Sequence, residues 1–399
     1  MKYIVILGDG MSDEPIQALG GKTPLEAAHT PTLDALASAG EMGLVQNVPE
    51  GMHPGSDVAN LSVLGYDPRV CYSGRSPLEA LSLNIPMEPE DVAFRVNLVT
   101  LTEEEPYPEK TILDHSAGEI STKDAHILME AVRQKFNTEE FQFYPGTSYR
   151  NIMIWKHGKP VPLEPPHDHL TRKIGPYLPR EPVLRRIMEE SYDLLNDHPL
   201  NRARAAEGKH KGNSLWYWGA GTRPSLESFQ AKTGLKGAMV SAVDLLKGIA
   251  VGSGMRVYSV PGATGSIDTN WEGKAQAAID ALLRDHCDFV YVHLEAPDEM
   301  AHQGLTREKI LSIEYLDSRI AAPIKAACEA SGEPFRMLVL PDHPNPIRCR
   351  THTADPVPYV LYDSTRQRRA IAHYSEKEAA KTGNFEPDGY RLITRLTEE

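Results

Sequence analysis

The chain has 399 residues, 41% of them hydrophobic and 24% charged, a globular composition long enough for more than one core. Its 42 basic and 55 acidic side chains leave a formal charge of −13, which disfavours nucleic acid but still allows a small anionic substrate gripped by a few placed arginines. No stretch approaches the roughly 18 apolar residues of a membrane span, so neither a nucleic-acid nor a membrane partner is expected.

Short apolar runs alternate with helical patterns along both flanks of the chain. The run Tyr3–Leu7 reads as a first strand and is too short for a signal-peptide core, so a soluble, cytoplasmic protein is expected. Pro24–Ala39 reads as a helix, and ANLSVLG after Ser56 as another. Arg256–Val260, Phe289–Leu294, Met337–Leu340 and Tyr359–Tyr362 read as further strands, with helices over Lys274–Arg284 and Thr306–Ala330. In the last, Ile310, Ile313, Ile320 and Ile324 recur at helical spacing. Strand–helix alternation of this kind predicts an α/β core, a mostly parallel sheet sandwiched by helices.

The middle of the chain differs. From about Thr100 to Arg223 it is rich in Pro, His and charge, with its own strand patterns at Asn151–Trp155 and Leu215–Trp218 and a helix near Val183–Leu195. This predicts a smaller inserted α+β domain over residues 100–223, within a core made of 1–99 and 224–399. Four cysteines, Cys71, Cys287, Cys328 and Cys349, form no CxxC pair and read as buried thiols rather than a disulfide or zinc framework.

Ligands of open α/β sheets gather at the carboxyl ends of strands, and the polar residues there are distinctive. The first strand ends in Asp9, within ILGDGMSD; FVYVHL is followed by EAPDEMAH, with Asp298 and His302 four apart; MLVL runs into Asp342-His343; and His352 follows nine residues later. Seen singly, Asp9-Gly10 would be a turn, Asp342-His343 a capped turn, and His352 a loop histidine. Together, in this order, Asp and His side chains form a ligand set for borderline divalent ions, and their number allows two. Ser56, after a glycine and at a helix start, is the candidate nucleophile, although Ser56 or Asp57 alone would read as a helix cap.

In sequence order GDGMSDEP, GKTPLEAAHTPTLDALASAG, PGSDVANLSVLGYDP, SGRSPLEA, AFRVNLVT, NSLWYWGAG, SAVDLLKGIAVGSGM, VPGATG, APDEMAHQG, LPDHPNP and RTHTADPVP resemble cofactor-independent phosphoglycerate mutases of the archaeal type, within the alkaline phosphatase superfamily. The resemblance implies an alkaline-phosphatase-like core, an inserted domain that closes over substrate, and two divalent ions, Mn²⁺ foremost, with Zn²⁺, Co²⁺ or Mg²⁺ as alternatives. It assigns Asp298, His302 and His352 to one ion, and Asp9, Ser56, Asp342 and His343 to the other, with Ser56 transiently phosphorylated. The implied reaction interconverts 3-phosphoglycerate and 2-phosphoglycerate without 2,3-bisphosphoglycerate. Lys247 falls near the family's substrate lysine, and Arg150, Arg202 and Arg223 are candidates to hold carboxylate and phosphate.

One segment departs from the pattern. Where archaeal members carry a DRRAGR-like stretch, this chain reads Asp114-His115-Ser116-Ala117-Gly118-Glu119. Ser116 and Glu119 replace two arginines, and His115 is left as a candidate substrate contact. A metal-dependent phosphotransferase acting on a less anionic alcohol such as homoserine is therefore the alternative reading. A phosphatase ranks behind it, and a non-catalytic metal-binding module is disfavoured because every ligand position holds a competent residue. No heptad or apolar run indicates an oligomeric state.

Overall fold

The computed structural model describes residues 1–366 and 373–398. In chain order its strands are β1 (Lys2–Gly8), β2 (Glu41–Val45), β3 (Val92–Leu101), β4 (Ile112–Asp114), β5 (Phe141–Thr147), β6 (Arg150–Trp155) and β7 (Ser214–Thr222). They continue with β8 (Gly237–Val240), β9 (Arg256–Tyr258), β10 (Phe289–Leu294), β11 (Phe335–Leu340), β12 (Val357–Asp363) and β13 (Phe385–Glu386). The chain divides into two units, residues 1–72 with 226–399, and residues 73–225.

The first unit is built on an eight-stranded sheet of order β13-β2-β12-β11-β1-β10-β8-β9. β1 lies parallel between β10 and β11, with Val5 opposite both Tyr291 and Leu338. β12 alone runs antiparallel to its neighbours β11 and β2. β10 and β11 are buried at every position, which is why they read as unbroken apolar runs: helices cover both faces and leave no wet side to alternate with. Ile4, Ile6, Val292 and Leu294 pack with Ile313, Leu316, Ile320 and Ile324 in one core. The parallel order sends the ends of β1, β10 and β11 out at the same edge.

Two expected helices differ in detail. Pro24–Ala39 is two helices, Pro24–Ala27 and Pro31–Ala39, because Pro31 has no N–H to continue a ladder and keeps Thr30 out of the helical region. The segment expected as Lys274–Arg284 begins at Trp271, capped by the Asn270 side chain on Gly273 N, and ends in a wider turn over Asp280–Arg284. β2 carries little strand signal in the sequence, because EMGLV is short and carries a glycine and a charge.

The second unit is an antiparallel sheet of order β4-β3-β6-β5, with β7 on the other side of β3. The helices Thr122–Phe136 and Pro182–Leu195 bury Leu128, Met129 and Val132, and Leu184, Ile187 and Met188, into one core with Phe94, Val96 and Trp216. This unit begins at Ser73 rather than at the expected residue 100. The physical reason is β3, the central strand, paired with both β6 and β7; its ten buried residues look in sequence like one more strand of the first unit. Of the four thiols, Cys71, Cys287 and Cys328 are buried and Cys349 only partly so.

Candidate active site

The strand ends of the first unit hold a tightly packed polar cluster. Directly after β1, Gly10 has φ +57°, and a Cβ there would stand 2.2 Å from Asp298 Oδ1. Only glycine allows this approach, which lets Gly10 N donate to Asp342 Oδ1 (3.1 Å) beside Asp9. After β10, Asp298 and His302 lie on one face of the helix Ala296–His302, with His302 Nε2 3.1 Å from Asp298 Oδ2. After β11 come Asp342 and His343, both at most 1% exposed.

Ser56 opens the helix Ser56–Val63, and its Oγ lies 3.1 Å from His343 Nε2. That same nitrogen is 3.5 Å from Asp9 Oδ1 and 3.3 Å from Asp342 Oδ2. Asn60, one turn into the helix, donates to Asp342 Oδ2 (2.9 Å) and to Ser56 O (2.8 Å), and so joins the helix to the β11 end.

Two histidine tautomers follow from the geometry. His302 Nδ1 is 2.9 Å from Arg350 O, and His352 Nδ1 is 2.9 Å from Pro54 O. A carbonyl only accepts, so each Nδ1 donates and each Nε2 is the position at which the ring gains or gives up its second proton. Those two Nε2 atoms face each other at 3.0 Å, with Asp298 Oδ1 3.2 Å from His352 Nε2. With those protons given up, two Nε2 lone pairs would converge beside a carboxylate, the donor arrangement of a metal site whose outer partners are already in place.

Ligand atoms of Asp298, His343 and His352 lie within 4.8 Å of one another, as do those of Asp9, Asp342 and His343. Burial, then the charges of Asp342 and Asp298, hold the Asp9 pKa well above the ordinary carboxylate range. Burial works against the Asp298 carboxylate too, yet hydrogen bonds from His302 and His352 keep its pKa well below that range. The same Asp298 contact lifts His302 to about 9, whereas burial lowers His343. Asp9 Oδ1 and His343 Nδ1 are buried without a hydrogen-bond partner. A pocket with this surplus of buried acceptors fits a divalent cation, which would satisfy the orphaned carboxylate and displace the proton from His302. The mixed Asp and His donors fit a borderline divalent cation, where an all-oxygen set would fit Mg²⁺ or Ca²⁺.

The expected substrate contacts are more dispersed. Lys247, in the first unit, pairs with Asp244 at 3.2 Å. In the second unit Arg150 lies over the Tyr149 ring (5.3 Å), and His115 meets that ring edge-on. Arg202 is exposed on the helix Pro199–Ala206, where Arg204 instead is buried and bonded to Asp124. Arg223 is exposed and donates to Met87 O. Ser116 is buried in the turn after β4, where its N–H and hydroxyl both donate to Asp114 Oδ1 at 2.7 Å.

Several residues of both regions were missed in the sequence. His293 is fully buried in β10 and 2.9 Å from Asp9 Oδ2; burial, then the nearby Lys274, push its pKa down to about 3, so it stays neutral. Asn345 donates to Asp298 Oδ1 at 2.7 Å. In the second unit Arg95, on β3, lies over Trp218 (4.8 Å) and pairs with Glu79 at 3.0 Å, its Nε alone buried without a partner, and His167 meets Trp218 edge-on. A histidine or arginine inside an apolar strand is the one signal that could have flagged His293 and Arg95.

A sequence model of the family described as 2,3-bisphosphoglycerate-independent phosphoglycerate mutase matches residues 37–201. A protein of Geobacter sulfurreducens bearing that family name is 50% identical over 404 residues, covering 99% of each chain. The 2,3-bisphosphoglycerate-independent phosphoglycerate mutase of Methanosarcina acetivorans is 46% identical over 390 residues, covering 96% of each. The solved cofactor-independent phosphoglycerate mutase of Thermoplasma acidophilum is similar over 99% of both chains, with 29% identity and a TM-score of 0.67.

Proposed function

As the chain belongs to the family of 2,3-bisphosphoglycerate-independent phosphoglycerate mutases, we propose that it interconverts 3-phosphoglycerate and 2-phosphoglycerate through a phosphoserine on Ser56. The observation that carries this reading is the Ser56 hydroxyl at a helix start, 3.1 Å from His343 Nε2 and beside an acceptor-rich, cation-deficient cluster.

Asp298, His302 and His352 would hold one divalent ion, and Asp9, Asp342, His343 and Ser56 a second. Bound there, such ions supply positive charge to the phosphoryl oxygens and lower the pKa of the serine hydroxyl. Ser56 Oγ then bonds to phosphorus as the substrate's C–O–P ester bond breaks, and the departing glycerate oxygen takes up a proton equivalent to the one Ser56 gave up. The neighbouring hydroxyl of glycerate reverses the step, and Ser56 regains its proton. The first amides of the helix Ser56–Val63 face the added phosphoryl charge. Water must be kept from the phosphoserine, since its attack would turn the mutase into a phosphatase. His115 and Arg150, with Arg95 and His167 of the same unit, are the groups that would recognise the carboxylate.

One observation favours a second reading, transfer to a less anionic alcohol such as homoserine: the turn after β4 presents Ser116 and Glu119 rather than arginines, and Ser116 is spent on Asp114. Phosphorus NMR with Mn²⁺ and 3-phosphoglycerate, without bisphosphoglycerate or nucleotide, separates the readings. The mutase produces a 2-phosphoglycerate resonance and no free phosphate. An unchanged spectrum, with transfer to homoserine from a nucleotide donor, would establish the second reading, and free phosphate alone a hydrolase.

A further inference from the structure

Lys309 has no solvent exposure and spends its ammonium on three acceptors: Asp13 Oδ2 at 2.8 Å, Asn345 O at 2.9 Å and Ser12 O at 3.3 Å. Three is the full donor capacity of an ammonium group. Ser12 and Asp13 follow Asp9 at the end of β1, and Asn345 follows His343 at the end of β11. Lys309 itself sits on the helix Thr306–Tyr315, just beyond the helix that bears Asp298 and His302. One buried cation thus joins three of the segments that carry the candidate ligands, those that follow β1, β10 and β11.

The connections continue on both sides. Asn345 Nδ2 donates to Asp298 Oδ1 (2.7 Å) and to Asp298 O (3.2 Å), so its side chain fixes both the carboxylate and the backbone that carries it. The Asp13 carboxylate accepts from Ile347 N at 3.1 Å and binds the β11 end a second time. Partly buried Glu376 accepts from Ser12 Oγ and Asp13 N, both at 3.1 Å, and holds the opposite side. A buried ion pair is a poor means of adding stability, since an apolar pair of similar volume commonly does as well. What an apolar pair cannot do is direct three hydrogen bonds to three separate loops.

We infer that Lys309 is a positioning residue of the cation centre, acting through Asn345 on Asp298 and through Asp13 on the strand end that bears Asp9. The inference rests on the metal reading of the preceding section. It concerns no contact with substrate.

The test measures Mn²⁺ uptake from the resonance signal of the free aquo ion, alongside apo melting temperature and turnover as Mn²⁺ is raised. Lys309→Met/Asp13→Asn removes both charges of the buried pair together, and Asn345→Ala keeps the Lys309–Asp13 pair intact. Both variants are expected to need on the order of tenfold more Mn²⁺ for half-saturation, to melt within a few degrees of the parent as apoprotein, and to regain turnover at saturating Mn²⁺. A Mn²⁺ curve like the parent's in either variant, or turnover that saturating Mn²⁺ does not restore, overturns the inference. Should the double variant fail to fold, Asn345→Ala decides alone. Absence of Mn²⁺ uptake by the parent chain would instead overturn the metal reading, and this inference with it.

Discussion

At the strand ends of the first unit, Asp9, Asp342 and His343 are at most 2% exposed, and the side chains around them are held by partners of their own. His293 fixes Asp9, Asn60 fixes Asp342, and Asn345 fixes Asp298. In the second unit, Trp218 donates to Asn97 Oδ1 and Arg95 pairs with Glu79, but the group around Tyr149 and Trp218 rests more on ring contacts, with centroids 5.5–5.9 Å apart, and His167 and Arg150 are exposed. The first arrangement is over-determined and suits chemistry in which a misplacement of an ångström is costly. The second is adaptable, and fits recognition of an anion by several weak, redundant contacts. Substitutions should accordingly be severe and specific in the first region, and graded in the second.

The largest expected effect is at the nucleophile. Ser56→Ala should lower turnover by on the order of 10⁴-fold or more while Mn²⁺ uptake persists, because the Asp and His donors are untouched; calorimetric titration with the metal and a coupled assay measure both. Full residual activity would sink the serine mechanism.

Gly10→Ala comes next. Its Cβ would have to share space with Asp298 Oδ1 in a left-handed backbone conformation, so a loss of roughly 10- to 100-fold in Mn²⁺ affinity is expected. An Ala variant with the parent's affinity would show that the cluster is less rigid than its contacts imply. Removing metal with a chelator should lower the melting temperature, since an ion at a hundred times its dissociation constant stabilises by about 2.7 kcal/mol; no shift would argue against a bound cation.

In the second region the expected changes are smaller. Arg150→Met should raise KM for phosphoglycerate about tenfold, the worth of one charge-assisted hydrogen bond, with kcat within a few-fold of the parent. A collapse in kcat with KM unchanged would erase the contrast between the regions.

The smallest effect concerns Lys274, behind the first cluster. Burial pulls its pKa from 10.5 to about 8, so between these values the unfolded chain holds a proton that the folded chain lacks. Unfolding free energy should therefore rise with pH across that window, and Lys274→Met should remove this contribution to the slope. Urea melts at the two ends of the window would show it; equal slopes in both proteins would mean that Lys274 is not desolvated.

Much of this protein was legible before folding is considered. The apolar runs at Tyr3–Leu7, Phe289–Leu294 and Met337–Leu340 name the central strands, because a parallel strand covered on both faces cannot alternate. The residues that follow them, Asp9, Asp298 with His302, and Asp342 with His343, are carried to one edge by the parallel order alone. What the sequence could not determine is whatever depends on pairing across long separations. β3 belongs to the second unit only because it pairs with β6 and β7, and nothing in AFRVNLVT announces those partners. His293, Asn345 and Lys309 look like ordinary residues of a strand, a loop and a helix until folding sets them against Asp9, Asp298 and Asp13. Local pattern fixes which residues stand at strand ends; only the tertiary structure decides which side chains hold them there, since those contacts join residues far apart in the chain.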